Sequence, residues 1–189
     1  MDETGRKIIH MVFGSLFIAS VVLFGGQTTF TITCIALFAG MIFSFLIAQG
    51  FELPVFSLLV ELFQRDCEKT MPGKGAILFF AGTAFLMFLA LFVLQSEKII
   101  APALVPLVFG DGIATIAGKK WGKHLIANNR TWEGTISGFI ASSIALTLFL
   151  PSWESVFVVS AVAMLAELLP VNDNFSIPIT AGIVLYIIL

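Results

Sequence analysis

Long apolar runs separated by short polar turns dominate this sequence of 189 residues. Ala, Val, Ile, Leu, Met, Phe, Trp, Tyr and Cys make up 58% of it, and charged residues only 12%, about half of the usual soluble share of roughly 25%. A soluble domain of this size could not bury so much apolar surface. Because a spanning helix needs about 20 mostly apolar residues, the sequence predicts an all-α, polytopic integral membrane protein with a single transmembrane domain over residues 1–189.

The composition also excludes other classes of protein. Intrinsic disorder requires low hydrophobicity and high charge, and this chain has neither. Its only cysteines, Cys34 and Cys67, have no paired spacing, which argues against a disulfide-stapled scaffold, and no Cys/His cluster predicts a zinc site. The net charge of -2 argues against nucleic acid as a partner.

Seven apolar segments are predicted to cross the membrane. They lie at about 8–24, 29–49, 75–94, 99–118, 133–150, 153–169 and 177–189. A further segment, 50–63, contains Glu52, Pro54 and Glu61, and it is too polar and too broken to cross lipid alone. We therefore predict that this segment is re-entrant or interfacial.

The basic residues divide unequally between the two sides that this topology defines. One side has only Lys98. The other side has nine, namely Arg6, Lys7, Arg65, Lys69, Lys74, Lys119, Lys120, Lys123 and Arg130. Because Lys and Arg accumulate in cytoplasmic loops, we predict that the N-terminus and the polar side of the protein face the cytoplasm.

Acidic residues are predicted to gather near the same face. Asp111 lies inside an apolar run, about two turns from the cytoplasmic end of its helix. An ionised Asp at bilayer depth costs at least roughly 2.5–3.5 kcal/mol, so it requires a cation or a wet cavity. For Asp111 an internal ion pair and a functional role are equally good explanations, whereas Glu133 in a first helical turn is ordinary helix-dipole chemistry. Glu167 and Asp173 complete the group.

Small residues recur every four positions around Asp111. They are Gly110, Ala114, Gly118 and Gly122, and Gly134 and Gly138 repeat the spacing on the next span. Such spacing lets helices approach closely. Gly110 and Gly112 also flank Asp111, where they loosen the helix beside a carboxylate that must meet a ligand.

Four cations lie within twelve residues of one another after these glycines, at Lys119, Lys120, Lys123 and Arg130. Carboxylates for a metal, Lys and Arg for phosphate oxygens and Gly for close backbone approach are what a polyphosphate with bound Mg²⁺ requires. Neither soluble nucleotide motif is present, because Thr115 takes the third glycine position of G-x-G-x-x-G and Lys120 stands where a P-loop needs Ser or Thr.

Five groups of residues follow one another in a characteristic order. They are R-K-x-x-H at 6–10, E-x-x-x-R with P-G-K-G at 61–75, G-D-G-x-A with G-K-K-x-G-K-H at 110–124, R-T-W-E-G-T at 130–135, and E-L-L-P-V-N-D-N-F-S-I-P at 167–178. In this order they resemble the dolichol kinase and phytol kinase family of CTP-dependent lipid-alcohol kinases, which is related to phosphatidate cytidylyltransferases. The family usually has Lys where this chain has Arg130.

The resemblance implies a kinase that transfers the γ-phosphate of CTP to an isoprenoid alcohol, either dolichol or another polyprenol, or phytol or geranylgeraniol. Asp111 and Asp173 are expected to hold Mg²⁺, and Glu133 or Glu167 to complete the metal shell or accept the alcohol proton. The expected CTP-binding residues are Gly110, Gly112, Lys119, Lys120, Lys123, His124, Arg130, Thr131 and Asn174. The expected partners are CTP, the lipid alcohol and the bilayer, and a homo-oligomer is compatible with the sequence.

Three alternatives stay open at this point. A cytidylyltransferase that makes a CDP-lipid would also need CTP and Mg²⁺, but its G-H-G-G-x-x-D-R-x-D signature does not occur here. A small transporter would use Asp111 and Glu167 as coupling groups within the membrane, although the acids of this chain gather on one side. His10, one turn from Arg6 and Lys7, fits a lipid-headgroup contact as well as a substrate role.

Overall fold

A computed structural model describes residues 3–51 and 71–189. Within these two ranges the chain is helical and has no strand, which confirms the all-α prediction. The helices are α1 Glu3–Phe24, α2 Gly26–Ala48, α3 Lys74–Phe88, α4 Ile100–Val105, α5 Asp111–Trp121, α6 Trp132–Leu146, α7 Trp153–Ala166 and α8 Asp173–Ile188. The prediction for 50–63, with Glu52, Pro54 and Glu61, falls almost wholly outside the described residues, as do Arg65, Cys67 and Lys69.

Two π-helical turns interrupt the regular α-helices. Leu89–Val93 continues α3, and Pro106–Gly110 joins α4 to α5. A 3₁₀ turn at Glu97–Ile99, α4, the second π turn and α5 form one continuous element, Glu97–Trp121, which we call the central helix. The N–H of Asp111 donates to the carbonyl of Pro106, five residues back. Since π turns occur frequently at functional sites, the wide turn directly before Asp111 singles out this carboxylate.

The central helix forms the core of the bundle. In its most apolar stretch 78% of the residues are buried, against 17% in α1 and 11% in α2. Leu104, Val105, Leu107 and Val108 of the central helix have no solvent exposure. The outer helices instead present apolar side chains such as Phe38 on their outward surfaces, as expected of helices that contact lipid.

Four helices of the described ranges are long and apolar enough to cross a membrane: Glu3–Phe24, Gly26–Ala48, Lys74–Val93 and Glu97–Trp121. These four helices support the prediction that the chain is an integral membrane protein. By contrast α6, α7 and α8 have 15, 14 and 16 residues, which makes them about 21–24 Å long, against a hydrocarbon thickness of about 30 Å. That all three also cross the bilayer stays a prediction.

The last three helices differ from the predicted spans at their ends. The α6 helix ends at Leu146 and α7 at Ala166, before the predicted limits of 150 and 169. In each case a proline follows a few residues later, and the residues between the helix end and this proline form turns and bends. The α8 helix begins at Asp173 rather than 177, because the Asn172 side chain accepts a hydrogen bond from the Asn174 N–H and caps the helix there.

Long-range contacts place three polar segments at one end of the bundle. Glu3 of α1 lies 3.6 Å from Lys119 near the end of the central helix, and the Asn128 amide donates to the Leu168 carbonyl at 2.8 Å. At the other end of α1, the N–H of Gly26 binds the Glu97 carboxylate. This confirms that the N-terminus, the 119–131 loop and the turn before α8 lie together. The compartment they face stays a prediction.

Candidate active site

Three carboxylates surround the guanidinium of Arg130 at this polar end. Arg130 Nη1 lies 3.0 Å from Glu167 Oε1, Nη2 donates a hydrogen bond to Asp173 Oδ2, and Nη2 lies 3.8 Å from Asp111 Oδ1. Lys7 Nζ donates a hydrogen bond to the other oxygen of Asp111. We call these five residues, Lys7, Asp111, Arg130, Glu167 and Asp173, the ion cluster. It joins α1, the central helix, the 119–131 loop, the turn after α7 and the start of α8.

Two acids of the ion cluster are almost fully buried, Asp111 at 3% exposure and Glu167 at 2%. Buried charges must be paired, and for Asp111 the partners are Lys7 and Arg130, so the internal ion pair that the sequence suggested is present. Glu167, in the turn after α7, is paired through one oxygen only. Its Oε2 is buried without a hydrogen-bond partner among residues 3–51 and 71–189, and burial raises the pKa of Glu167 to about 7 although Arg130 opposes the change.

A two-residue turn aims Arg130 at the acids. Asn128 and Asn129 have φ of 48° and 60°, and the Arg130 N–H donates to the Ala127 carbonyl at 2.8 Å, so residues 127–130 form a type I′ turn. Such a turn needs positive φ at both central positions, which Asn tolerates. The Asn128 side chain also binds the Leu168 carbonyl, and this bond holds the turn beside Glu167.

Close packing of α6 against α5 and against the π turn before α5 fixes the other side of the site. A Cβ at Gly138 would lie 2.7 Å from the Gly110 carbonyl oxygen, and a Cβ at Gly134 would lie 2.7 Å from that of Ala114. The predicted small-residue contact is therefore confirmed. Thr131 caps α6 by accepting a hydrogen bond from the Gly134 N–H at 3.2 Å, so the loop that carries Arg130 ends directly on the glycine contact.

A cavity of about 670 Å³ opens beside the ion cluster, within the range of about 300–1,000 Å³ that is usual for small-molecule sites. Lys7, Lys119 and Arg130 bring three cations to its wall. Thr135 also lines it, and the Thr135 hydroxyl is buried with no hydrogen-bond partner in the described part of the chain. Cations, carboxylates and an unpaired hydroxyl on one wall suit a phosphate-bearing ligand.

The structure brings six of the predicted site residues together. Five line the cavity, and they are Lys119, Arg130, Thr131, Glu167 and Asp173. Asp111 lies next to it, bound to Lys7 and close to Arg130. Their predicted roles in binding and catalysis stay predictions, but the six residues share one place.

The other predicted site residues do not line this cavity. His124 Nδ1 lies 2.7 Å from Glu133 Oε1 on an exposed surface, and Lys120 Nζ lies 5.0 Å from the ring centroid of Trp121. Lys123 lies beside them. For these residues too, the predicted roles stay predictions.

Three predicted ligand-binding residues lie at contacts between helices. A Cβ at Gly110 would meet Met164, a Cβ at Gly112 would meet Met11, and a Cβ at Gly82 would meet the Asn174 carbonyl. Gly110, Gly112 and Asn174 therefore lie where neighbouring helices approach each other closely, which gives each of them a packing function besides the predicted one.

Sequence reasoning missed Lys7 and Thr135 as site residues. Lys7 counted toward the charge asymmetry and belonged to the R-K-x-x-H motif, but it was not named as a site residue, and it is the direct partner of Asp111. The available signal was the buried Asp itself, which needs a cation, together with a Lys on another span at the same side of the membrane. For Thr135 the available signal was its place as the last residue of the R-T-W-E-G-T motif.

Oxygen ligands are what Mg²⁺ prefers, and it usually keeps waters and substrate phosphates around one or two carboxylates. The ion cluster offers such carboxylates, one with a buried, unpartnered oxygen in the described ranges. Within 3–51 and 71–189 no three His, Cys, Asp or Glu side chains converge on a preformed metal site. The residues therefore fit Mg²⁺ that arrives with a polyphosphate better than a metal held by protein alone.

Similar proteins come from plants, archaea and cyanobacteria. The chain is 30% identical to phytol kinase 1, chloroplastic, of Arabidopsis thaliana, over 98% of this chain and 66% of the plant protein, so it spans just under two thirds of that protein. It is also 30% identical to an uncharacterized protein of Methanocaldococcus jannaschii, over 98% and 93% of the two chains. It is 25% identical to phytol kinase of Synechocystis sp., over 78% of this chain and 59% of the cyanobacterial protein. No protein-family model and no solved structure matches the chain.

Proposed function

Because the chain belongs to the phytol and polyprenol kinase family, we propose that it transfers a phosphoryl group from a nucleotide to an isoprenoid alcohol at the membrane. The relatives with a functional name are phytol kinases, which supports a lipid-alcohol kinase and makes phytol the first substrate to test. We further propose that CTP is the phosphoryl donor, that Mg²⁺ is the cofactor and that the reaction takes place at the cytoplasmic face of the membrane.

The observation that carries this proposal is the ion cluster beside the 670 Å³ cavity. Phosphoryl transfer asks mainly for positioning and for neutralisation of charge on the phosphate oxygens. Lys7, Lys119 and Arg130 would bind the triphosphate, since all three reach the cavity wall. Asp111 and Asp173 would hold Mg²⁺, which neutralises charge on the phosphate oxygens when bound.

Glu167 is the carboxylate best placed to accept the proton of the alcohol. It lines the cavity, and its Oε2 has no partner in the part of the chain that the structure describes, whereas Glu133 is bound to His124 elsewhere. A carboxyl with a pKa of about 7 suits proton transfer near neutral pH. The alcohol oxygen then forms a bond to the γ-phosphorus, the bond to the β,γ-bridging oxygen breaks, and the nucleoside diphosphate leaves with that electron pair.

The proposal is tested with the purified protein in lipid nanodiscs, CTP and phytol. Label from γ-labelled CTP should appear in the lipid phase, and label from α-labelled CTP should not. Transfer of the α-label would identify a cytidylyltransferase instead. If no label enters the lipid with phytol, geranylgeraniol or a polyprenol, and ATP, GTP and UTP fail as well, the kinase proposal is wrong.

The role of Asp111 can be separated from its ion pair. Asp111→Asn should lower kcat at least about a hundredfold per folded protein, because a bound metal supplies several kcal/mol of charge stabilisation. It should also lower stability, since it leaves the half-buried Lys7 unpaired. The double variant Lys7→Met/Asp111→Asn should regain stability, because apolar replacement of a buried ion pair is often neutral. Recovery of activity in that double variant would show that Asp111 is only structural.

A further inference from the structure

The hydroxyl group of Thr135, near the start of α6, is buried and has no hydrogen-bond partner in the described part of the chain. Thr83 and Thr180, on α3 and α8, instead donate to the carbonyl four residues back in their own helices, at 2.9 and 2.6 Å. Ser143 and Ser160 also have unpartnered hydroxyls, but only Thr135 of these three lines the cavity beside the ion cluster. Because an unpartnered buried hydroxyl costs stability, its place in a cavity wall points to a bond with what binds there.

The packing of α6 against the central helix shows how deep in the cavity Thr135 lies. A Cβ at Gly118 would lie 2.9 Å from the Thr131 hydroxyl oxygen, and a Cβ at Gly134 would lie 2.7 Å from the Ala114 carbonyl oxygen. The two helices are therefore antiparallel where they touch. Thr135, which follows Gly134 directly, lies about one helical turn nearer the ion cluster than Thr131 does.

The inner end of the cavity is where the ion cluster would act on the terminal phosphate. Thr115 and Thr135 both line the cavity, and the Thr115 hydroxyl donates to Asp111 Oδ1 at 3.3 Å. Lys119, with 55% of its side chain exposed, lies about one turn nearer the mouth of the cavity on the same helix. A nucleotide whose phosphates extend from Lys119 toward the acids would therefore bring its terminal phosphate to Thr135.

The charges of the cavity decide whether this hydroxyl donates or accepts. A hydroxyl group can do both, whereas a phosphate oxygen only accepts. Three cations, Lys7, Lys119 and Arg130, line the same cavity and favour an anionic ligand, so the hydroxyl would be the donor. Rotation about χ1 moves a threonine hydroxyl between staggered positions, which lets it turn from the cavity wall to the ligand. Its proton is separate from the alcohol proton that Glu167 is proposed to accept.

We propose that the Thr135 hydroxyl donates a hydrogen bond to an oxygen of the terminal phosphate of the nucleotide and so positions the group that is transferred. The proposal rests on the proposed kinase function and adds a neutral phosphate-binding residue to Lys7, Lys119 and Arg130. It also accounts for a helical threonine that makes no bond to its own helix, because the partner of the hydroxyl is the substrate.

The substitution Thr135→Val removes the hydroxyl and keeps the branched shape of the side chain. Binding of β,γ-methylene-CTP, which resists transfer of its terminal phosphate, and of CDP is measured by calorimetry with Mg²⁺ and the protein in lipid nanodiscs. Thr135→Val should weaken binding of the triphosphate analogue about ten- to a hundredfold, as expected for loss of a hydrogen bond to a charged group, and leave CDP binding unchanged. Thr135→Ser keeps the hydroxyl and should bind both nucleotides like the unmodified protein.

The melting temperature without nucleotide separates this role from a structural one. Thr135→Val should melt at or above the temperature of the unmodified protein, because it removes a buried hydroxyl that has no partner in the described ranges. Thr180→Val is the matched control, since Thr180 is also a half-buried helical threonine but its hydroxyl bonds its own helix, and it should leave nucleotide binding unchanged. Weaker binding together with a lower melting temperature in Thr135→Val would show that Thr135 is only structural.

Other outcomes would also overturn the proposal. Unchanged binding of the triphosphate analogue in Thr135→Val would show that the hydroxyl bonds only water, and an equal loss of CDP binding would show that it does not contact the terminal phosphate. If the binding difference is found but the unmodified protein transfers no label to any alcohol, the phosphate contact stands and the kinase function is wrong. If the unmodified protein binds neither nucleotide, both proposals are wrong.

Discussion

Arg130 binds carboxylates in the structure and is proposed to bind phosphate in the reaction. Its two terminal nitrogens contact Glu167 and Asp173 separately, and the second nitrogen also lies near Asp111. A triphosphate that enters the cavity competes with these acids for the same guanidinium. The planar fork lets one side chain hold an acid and a phosphate oxygen at the same time, which an ammonium group does less well.

The substitution Arg130→Lys should therefore raise the KM for CTP, by about tenfold, because Lys keeps the charge and loses the fork. Arg130→Ala should raise it further, and the KM for phytol should change little. Steady-state kinetics with both substrates measure this effect. Lys98→Arg, an exposed substitution at the other end of the bundle, is the matched control, and unchanged CTP kinetics in both Arg130 variants would contradict a nucleotide-binding role.

At this scale the sequence could predict which residues are chemically useful, but not how they pair. Asp111 could be recognised from the sequence as a buried acid that needs a cation. Its partners are Lys7, 104 positions away, and Arg130. This pairing depends on how three elements pack, which the sequence does not show. In the sequence, Lys120, Lys123 and Arg130 are three cations of one loop. Only the turn at Asn128 and Asn129 shows that Arg130 is the one that points at the acids.

Among the elements, the contact of α6 with α5 and with the π turn before α5 leaves no room for an added methyl group. A Cβ at Gly138 would lie 2.7 Å from the Gly110 carbonyl oxygen and 2.8 Å from the Met164 sulfur. Gly138→Ala should thus destabilise the protein by about 1–3 kcal/mol through overpacking, and lower the melting temperature by about 2–10 °C. It should also lower activity, because α5 carries Asp111 and α6 follows Arg130.

Gly40→Ala in α2 is the matched control for that prediction. The nearest atom to a Cβ there is a side-chain carbon of Ile77 at 3.8 Å, an ordinary contact, so the variant should be neutral or more stable by about 0.4–1 kcal/mol. Thermal unfolding in one detergent compares the two. An equal melting temperature for Gly138→Ala and the unmodified protein would show that the helices adjust without cost.

The elements themselves were largely predictable because apolar runs of 15–25 residues identify helices directly. Their ends were less predictable. The cap at Asn172 begins α8 four residues early, since hydropathy does not register a side chain that accepts a backbone hydrogen bond. The π turn at Pro106–Gly110 could not be predicted from the sequence either, because it changes the backbone hydrogen bonds without changing the apolar pattern.

For the molecule as a whole, the polar end of the bundle should face one compartment. We expect Glu3→Cys and Leu125→Cys, in a background without Cys34 and Cys67, to react with a membrane-impermeant thiol reagent only from the cytoplasmic side. Glu154→Cys, at the opposite end of α7, should react only from the other side and is the control. Labelling of positions 3 and 125 from different sides would contradict both the charge asymmetry and the contact between Glu3 and Lys119.

The bond between Lys7 and Asp111 also has a consequence for biosynthesis. A ribosome that adds about 5–20 residues per second makes Lys7 several seconds before Asp111, 104 positions later. When the span that carries Asp111 enters the membrane, Lys7 on the first span is already there, whereas Arg130, farther along the chain, follows later. Lys7 can therefore offset the cost of inserting the acid, roughly 2.5–3.5 kcal/mol, before Arg130 reaches the polar end of the bundle.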